Sequence, residues 1–287
     1  MVGPLDGKRP LVPFRQISEQ KLTIKEFIRI FPEIKLPMIY EYPPNFARFY
    51  DVIYQQLRDS VDHTFFLNEI RQTEGKILEV GVGTGRFFMD ALNAGADVYG
   101  IDISQYMLDV LKGKLDKDQH HRISHQSITD FSFDIQFDLI IAPFRVFQHL
   151  LEKEEQLQAL NNVYRYLKPG GKFIFDTFVP NLDMLIEGVD RVTDFEGEYK
   201  PCKMLKRIVS TKPDLISQLI HIHFRLEWEE GNTTKHEDWQ LPFRFFFRYE
   251  LEHLVERSEF KDYHILGDYQ GNDLNKDSKE FIMVCKK

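Results

Sequence analysis

The apolar positions change period along the chain, and each change marks a different kind of element. From Phe46 to Ile70 they recur at helical spacing, with Phe49, Ile53, Leu57, Val61 and Phe65 on one stripe and Tyr50 and Tyr54 beside it. Short apolar runs then alternate with amphipathic stretches. The runs predict strands over Lys76–Val80, Asp97–Ile101, Arg122–His125, Phe137–Ala142 and Lys172–Asp176. The stretches predict helices over Gly85–Ala94, Gln105–Lys114 and Lys153–Leu167. The last of these stops at Lys168-Pro169-Gly170-Gly171, where proline cannot extend a helix and glycine can turn the chain. Strands alternating with helices predict a parallel sheet covered on both faces.

The period then shortens to two. Strands are predicted over Gly197–Arg207, Leu215–Trp228 and Thr233–Phe247, with Lys212-Pro213-Asp214 and Glu230-Gly231-Asn232 as turns. Ile220, Ile222, Phe224, Leu226 and Trp228 fall on one sheet face. A helix over Tyr249–Ser258 and strands over Tyr263–Leu266 and Phe281–Cys285 resume the earlier pattern. Only Gly271–Lys279 separates the final two strands, too little for a crossover, so the last strand is expected to run antiparallel. The chain thus divides into a proline-rich N-terminal extension (1–44, with a short helix over Thr23–Phe31), a core (45–189), an inserted antiparallel β subdomain (190–246) and the remainder of the core (247–287). There are no internal repeats.

The richest local signal is Ile77-Leu78-Glu79-Val80-Gly81-Val82-Gly83-Thr84-Gly85-Arg86, a strand running into a glycine turn before a helix. Gly81, Gly83 and Gly85 lack a Cβ, which lets backbone approach a ligand. Asp102 ends the next strand, at the spacing where a carboxylate accepts hydrogen bonds from ribose hydroxyls. A nucleoside-type cofactor is implied. The third glycine of a dinucleotide fingerprint would fall at Arg86, and Glu79 would repel a pyrophosphate. A carboxylate there suits a cationic ligand.

Composition narrows the partners. A net charge of −8 argues against a general binder of nucleic acid or anionic membrane. Cys202 and Cys285 lack metal-site spacing and suit a reducing cytoplasm. Met1 to Pro13 has no apolar core like that of a signal peptide, and no apolar run approaches the ~20 residues of a membrane span. His221 and His223 share a strand face, and His120, His121 and His125 cluster, but neither group has acidic or cysteine partners at ligand spacing, so no metal is expected.

Together, Ile77–Phe87, Gly100–Ser104, Phe137–Leu150 and Leu167–Asp176 resemble the successive motifs of class I S-adenosylmethionine-dependent methyltransferases, a likeness spanning Phe46–Lys287. Ala142–Leu150, the β-rich insertion and Phe246–Phe260 resemble bacterial small-molecule methyltransferases of that superfamily. The resemblance implies an α/β fold: a Rossmann-like, doubly wound, seven-stranded, mostly parallel sheet with an antiparallel last strand, plus an inserted antiparallel β subdomain. It implies S-adenosyl-L-methionine as cofactor and a small-molecule methyl acceptor.

Carried residue by residue, the resemblance puts Gly81, Gly83 and Gly85 under the methionine part of the cofactor and Glu79 near its ammonium end. Asp102 takes the ribose, and Ile103 and Met107 line the adenine. Ser127 and Ile128 hold the positions where the family often has an acidic and an apolar residue. Ala142 lies beside the cofactor, and Phe147 follows one turn on. Tyr50 and Tyr54 could close over the sulfonium or simply pack.

His149 is the candidate general base, with a helix-cap role as the alternative. Arg145 could clamp an acceptor carboxylate or phosphate, or form an ion pair. Phe245, Phe246 and Phe247 could line an acceptor cavity or pack the sheet. The competing readings are an RNA or protein methyltransferase, a non-catalytic S-adenosylmethionine-binding protein and a dehydrogenase. The acceptor, the atom methylated and the oligomeric state are not legible.

Overall fold

A computed structural model describes residues 42–57 and 61–287. The helix expected over Thr23–Phe31 lies outside these residues. The Phe46–Ile70 stripe forms two helices, α1 (Pro44–Leu57) and α2 (Val61–Arg71). The alternating region then gives β1 (Lys76–Val80), α3 (Phe88–Asn93), β2 (Asp97–Asp102), α4 (Gln105–Lys112), β3 (Ile123–His125), β4 (Phe137–Ala142), α5 (Lys153–Tyr166) and β5 (Leu167–Phe178). A short helix α6 (Leu182–Glu187) leads into β6 (Val189–Lys200), β7 (Lys203–Asp214), β8 (Leu219–Glu230) and β9 (Thr233–Arg244). Helix α7 (Arg248–Arg257) and strands β10 (Asp262–Leu266) and β11 (Glu280–Lys286) complete the fold.

Seven strands form one sheet in the order β10-β11-β5-β4-β1-β2-β3. The pairs among β1 to β5 are parallel, and β11 runs antiparallel to both β5 and β10. The central strands read as unbroken apolar runs because both faces are covered. On one face, Ala159, Leu160 and Val163 of α5 and Leu251 and Val255 of α7 pack on Leu78, Ile140 and Phe173. On the other, Phe66 and Ile70 of α2, Phe88 of α3 and Leu108 and Leu111 of α4 pack on Ile77, Val98 and Ile141. Burying each Val, Leu, Ile or Phe side chain here contributes about 1.5–3 kcal/mol.

The other four strands form a separate antiparallel sheet, β6-β7-β8-β9. One face meets α1: Phe46, Phe49 and Ile53 pack on Phe195, Leu205, Leu226 and Trp228. This is the face the alternation at Ile220–Trp228 marked.

Several boundaries differ from expectation. Lys212-Pro213-Asp214, expected as a turn, ends β7 and pairs with β8, and the chain turns at 215–218 instead. The strand expected over Gly197–Arg207 contains a hairpin turn at Pro201-Cys202, with Cys202 at φ 58°, so it is the end of β6 and the start of β7. Gly81–Phe87 is a turn, so α3 begins three residues later than the glycine pattern suggested. Strand β5 begins at Leu167 and carries Pro169-Gly170-Gly171 as an irregularity, its register against β4 jumping between the Phe137 and Leu139 pairs. No helix among the described residues is long and apolar enough to cross a membrane.

Candidate active site

The carboxyl ends of β1, β2 and β4 meet at one edge of the sheet. The glycine loop is pinned there by backbone: the Gly81 and Val82 N–H groups donate to the Ile101 carbonyl at 2.8 and 3.0 Å. Gly81 has φ 69°, and a Cβ on it would meet Val146 at 2.3 Å, so glycine lets this loop nest against the loop after β4. Gly83, at φ 55°, meets nothing nearer than 3.9 Å on its open side. Its N–H donates to Asp102 Oδ2 at 2.8 Å, and the Ser104 N–H donates to Oδ1 at 2.7 Å. Asp102 therefore braces the loop through one N–H on each oxygen. Burial raises its pKa against the lowering effect of those N–H groups.

Glu79 is buried, and its Oε2 has no hydrogen-bond partner. Burial, with the nearby Asp102 charge adding to it, pushes the carboxyl well above the usual range, although Arg86 opposes the shift. An orphaned buried carboxylate oxygen costs about 1–3 kcal/mol or more. It is a place where a ligand cation would be stabilised.

Helix α1 closes over this edge. Thr84 Oγ1 donates to Asp51 Oδ1 at 2.6 Å, and Lys114 Nζ bridges Asp51 Oδ2 (2.6 Å) and the Thr84 carbonyl (2.7 Å). Tyr50 stacks obliquely on Tyr54 with ring centroids 4.5 Å apart, and Tyr54 meets Phe144 edge-on at 5.2 Å. Arg207, from β7, grips Asp194 through two bonds of 3.0 and 2.7 Å and donates to the Tyr54 hydroxyl at 3.0 Å. Tyr42 lies within electrostatic reach of Asp102, Tyr54 and Arg207, and burial raises its pKa so that the phenol stays protonated.

His149 ends the short 3-10 turn after β4. Its Nε2 lies 3.3 Å from the Tyr42 hydroxyl, and its ring packs edge-on against Phe243 at 4.5 Å. Part of its surface stays accessible, yet desolvation pushes the imidazole down to about 4, so it is neutral at physiological pH. Arg145 is taken up elsewhere: its backbone N–H and Nη1 donate to buried Asp176 at 3.2 and 2.9 Å, and it pairs with Glu280. The clamp expected of Arg145 is corrected to the ion-pair alternative. Phe144 and Arg145 both sit in the left-handed region, at φ 63° and 70°, a strained pair that this network holds.

A methyltransferase-domain family model matches residues 77–171. A methyltransferase from Anoxybacillus flavithermus, itself uncharacterised, is 33% identical over 177 residues, covering 54% of this chain and 79% of that one. The chain belongs to the class I S-adenosylmethionine-dependent methyltransferases. Over more of its length, this methyltransferase chain is 26% identical to a glycine/sarcosine N-methyltransferase from Parasynechococcus marenigrum, covering 86% of this chain and 84% of that enzyme. A cypemycin N-terminal methyltransferase from a Streptomyces species is 31% identical over 46% of this chain; the chain spans about half of that relative's length (54%).

The fold is shared with an S-adenosylmethionine-dependent methyltransferase from Clostridium acetobutylicum (TM-score 0.67, 19% identity, 84% and 97% of the two chains). It is shared also with the sugar N-methyltransferase KedS8 from Streptoalloteichus (TM-score 0.66, 14% identity, 83% and 93%).

The crevice of this methyltransferase fits the cofactor on its own terms. The orphaned Glu79 oxygen, the open side of Gly83 and the carboxylate of Asp102 match an ammonium, a close-lying chain and a ribose. Ile103 is 42% exposed beside Asp102, an apolar face for a base to cover. Ser127 lies at the rim, its hydroxyl shared with Thr129 at 2.8 Å. Ala142, Phe147 and Met107 are buried, at 0%, 0% and 2% exposed. Phe147 stacks on Phe175 at 4.3 Å because its turn points it inward, and Met107 packs under α1. Ile128 is likewise almost wholly in the core.

Tyr42, Asp51, Phe144 and Arg207 are neighbours of the site that sequence reasoning passed over. Tyr42 hides at the end of a proline-rich stretch. Arg207 had no local signal, because its meaning depends on Asp194 across a hairpin.

Proposed function

We propose that this chain transfers a methyl group from S-adenosyl-L-methionine to a nitrogen or oxygen nucleophile of a small-molecule acceptor. The observation that carries the proposal is the pair of acids, buried Glu79 and half-buried Asp102, on either side of a backbone-lined glycine loop that opens toward aromatic side chains. Bound S-adenosylmethionine supplies a methyl carbon activated by a cationic sulfur. The chain's own residues then bind, orient and exclude water. Asp102 holds the ribose hydroxyls, Glu79 the ammonium end, the glycine loop the intervening chain and Ile103 the base. Ser127 borders the base from β3's side.

Tyr50 and Tyr54 present ring faces, which favour a sulfonium by about 0.5–2 kcal/mol. Holding two reactants in line lowers a barrier by several kcal/mol, ~7–11 in ideal cases. His149 offers a neutral imidazole lone pair to the acceptor's N–H or O–H. The burial that keeps it neutral also makes it a weak base, so orientation is the larger part of its role.

Nitrogen is the favoured nucleophile, since the glycine/sarcosine and sugar enzymes are both named N-methyltransferases. The cypemycin relative's name supports a second reading, an N-terminal amine of a polypeptide. Calorimetry with S-adenosylhomocysteine against NAD tests the cofactor: the first is expected to bind and the second not, and the reverse would overturn the proposal. Transfer from methyl-labelled cofactor to a panel of amines, alcohols and short peptides then separates an enzyme from a binder and the two acceptor classes from each other.

A further inference from the structure

Gln148 is fully buried in the turn that carries His149, and nothing in the proposed reaction uses it. Its Nε2 donates to the Arg244 carbonyl at 2.6 Å, and its Oε1 accepts from the Phe178 N–H at 3.3 Å. An amide suits this place because it donates at one end and accepts at the other. Arg244 answers in the opposite direction: its Nε donates to the Leu151 carbonyl at 2.6 Å. The two bonds bracket His149, since they leave from positions 148 and 151 and both end on the last residue of β9. Phe243, the residue before, packs edge-on against the imidazole, with ring centroids 4.5 Å apart. Phe178 ends β5, so the same amide also reaches the large sheet. A buried amide and a guanidinium thus fix the register between the His149 turn and β9. Neither segment can slide by a residue without leaving a carbonyl or an N–H unpaired.

We propose that Gln148 and Arg244 form a clasp that seats the second sheet on the core and holds Phe243 against His149, so that the imidazole meets the acceptor in one fixed orientation. This rests on the reading of His149 above and names the two residues that position it. Both act through His149 and are positioning residues. Phe243 closes one side of the ring, and the Tyr42 hydroxyl lies 3.3 Å from Nε2. Tyr42 stays protonated, Arg145 in the same turn is paired with Asp176 and Glu280, and Arg244 is engaged by the Leu151 carbonyl. Burial rather than a neighbouring charge therefore sets the basicity of the ring, and the clasp controls that burial.

The test is the titration of His149, followed by NMR of histidine-labelled protein with His149→Gln identifying its signal. In wild type the ring is expected to stay neutral down to about pH 5. Gln148→Met keeps the volume and removes both bonds. As Phe243 moves off, water reaches the ring, and the midpoint should rise by about one pH unit or more toward 6.5. Arg244→Met should shift it in the same direction. Arg244→Lys can still donate to the Leu151 carbonyl and should restore most of the wild-type value. By calorimetry, S-adenosylhomocysteine affinity should stay within about threefold of wild type in all three, because the cofactor cradle lies on β1 and β2. Gln156→Met is the control. Gln156 is also buried and donates to the Leu150 carbonyl at 2.9 Å, but it comes from α5 rather than β9. Its loss should lower the melting temperature and leave the His149 midpoint in place.

Unmoved midpoints in both methionine variants would overturn the clasp, as would a wild-type midpoint near 6.5. An equal rise in Gln156→Met would make the shift a general loosening of the turn and overturn it too. If Gln148→Met does not fold, Arg244→Met read against Arg244→Lys decides. Wild-type protein that fails to bind S-adenosylhomocysteine would instead overturn the cofactor reading, and full turnover in His149→Ala would overturn the role of His149.

Discussion

The two sheets bury their residues in different ways, and on the proposed function the difference separates what binds from what selects. The seven-stranded sheet is sandwiched between helices, so β4 is apolar at nearly every position. Its edge carries Glu79, the glycine loop and Asp102, each fixed by backbone. Among the described residues, the four-stranded sheet is covered by α1 on one face. Its other face carries pairs such as His223–Asp238 (3.2 Å) and Arg225–Glu227 (2.8 Å), exposed enough to contribute little. Its contribution to the site is side chains, Arg207 and Phe243, reaching toward α1 and the loop after β4. A rigid backbone cradle suits a constant ligand, and side chains from a one-sided sheet suit one that differs between relatives.

Variants on each side should break this division if it is wrong. The largest effect is expected from Gly81→Ala. A Cβ would collide with Val146 and sit at positive φ, at a cost of about 2–4 kcal/mol, and thermal unfolding would read it. Arg207→Met should follow. It leaves Asp194 and Tyr54 without their partner, and Asp194 is partly exposed, so the loss is about 1–3 kcal/mol, with S-adenosylhomocysteine affinity within about threefold of wild type. A large affinity loss there would show the second sheet takes part in holding the cofactor.

Asp102→Ala should weaken S-adenosylhomocysteine at least about tenfold by calorimetry, and an unchanged affinity would remove Asp102 from the site. His149→Ala should lower turnover while leaving cofactor affinity in place.

The smallest effect is a pH slope. The folded imidazole of His149 titrates near 4, below its unfolded value near 6.5, so its share of stability is present above pH 6.5 and is lost as pH falls toward 4. Melting temperatures at pH 7 and pH 5 should drop less in His149→Gln than in wild type.

Much of the core was legible because it is local. Strand, glycine turn, helix and Asp102 follow within a few dozen residues, and each obeys a steric or hydrogen-bonding rule of its own. Arg145 was not legible, because its fate depends on Asp176 and Glu280, which join it only when β5 and β11 pair. The burial of Phe147 and Met107 was not legible for a related reason. Sequence offset put them near the crevice, but the rotation of one turn decides which way a side chain faces. The hairpin within Gly197–Arg207 was hidden because Pro201-Cys202 is a poor match to the usual asparagine–glycine turn pairs.

Strand β11 lies inside the large sheet, between β10 and β5, although it follows every other described strand. Until it is synthesised, β5 has an open flank and Arg145 lacks one of its acids. The cofactor crevice can thus assemble during translation before its supporting wall is complete. Until β11 has paired with β5, the chain is exposed to strand-on-strand aggregation along that flank. A nascent chain arrested just short of Glu280 would be the species most in need of a chaperone.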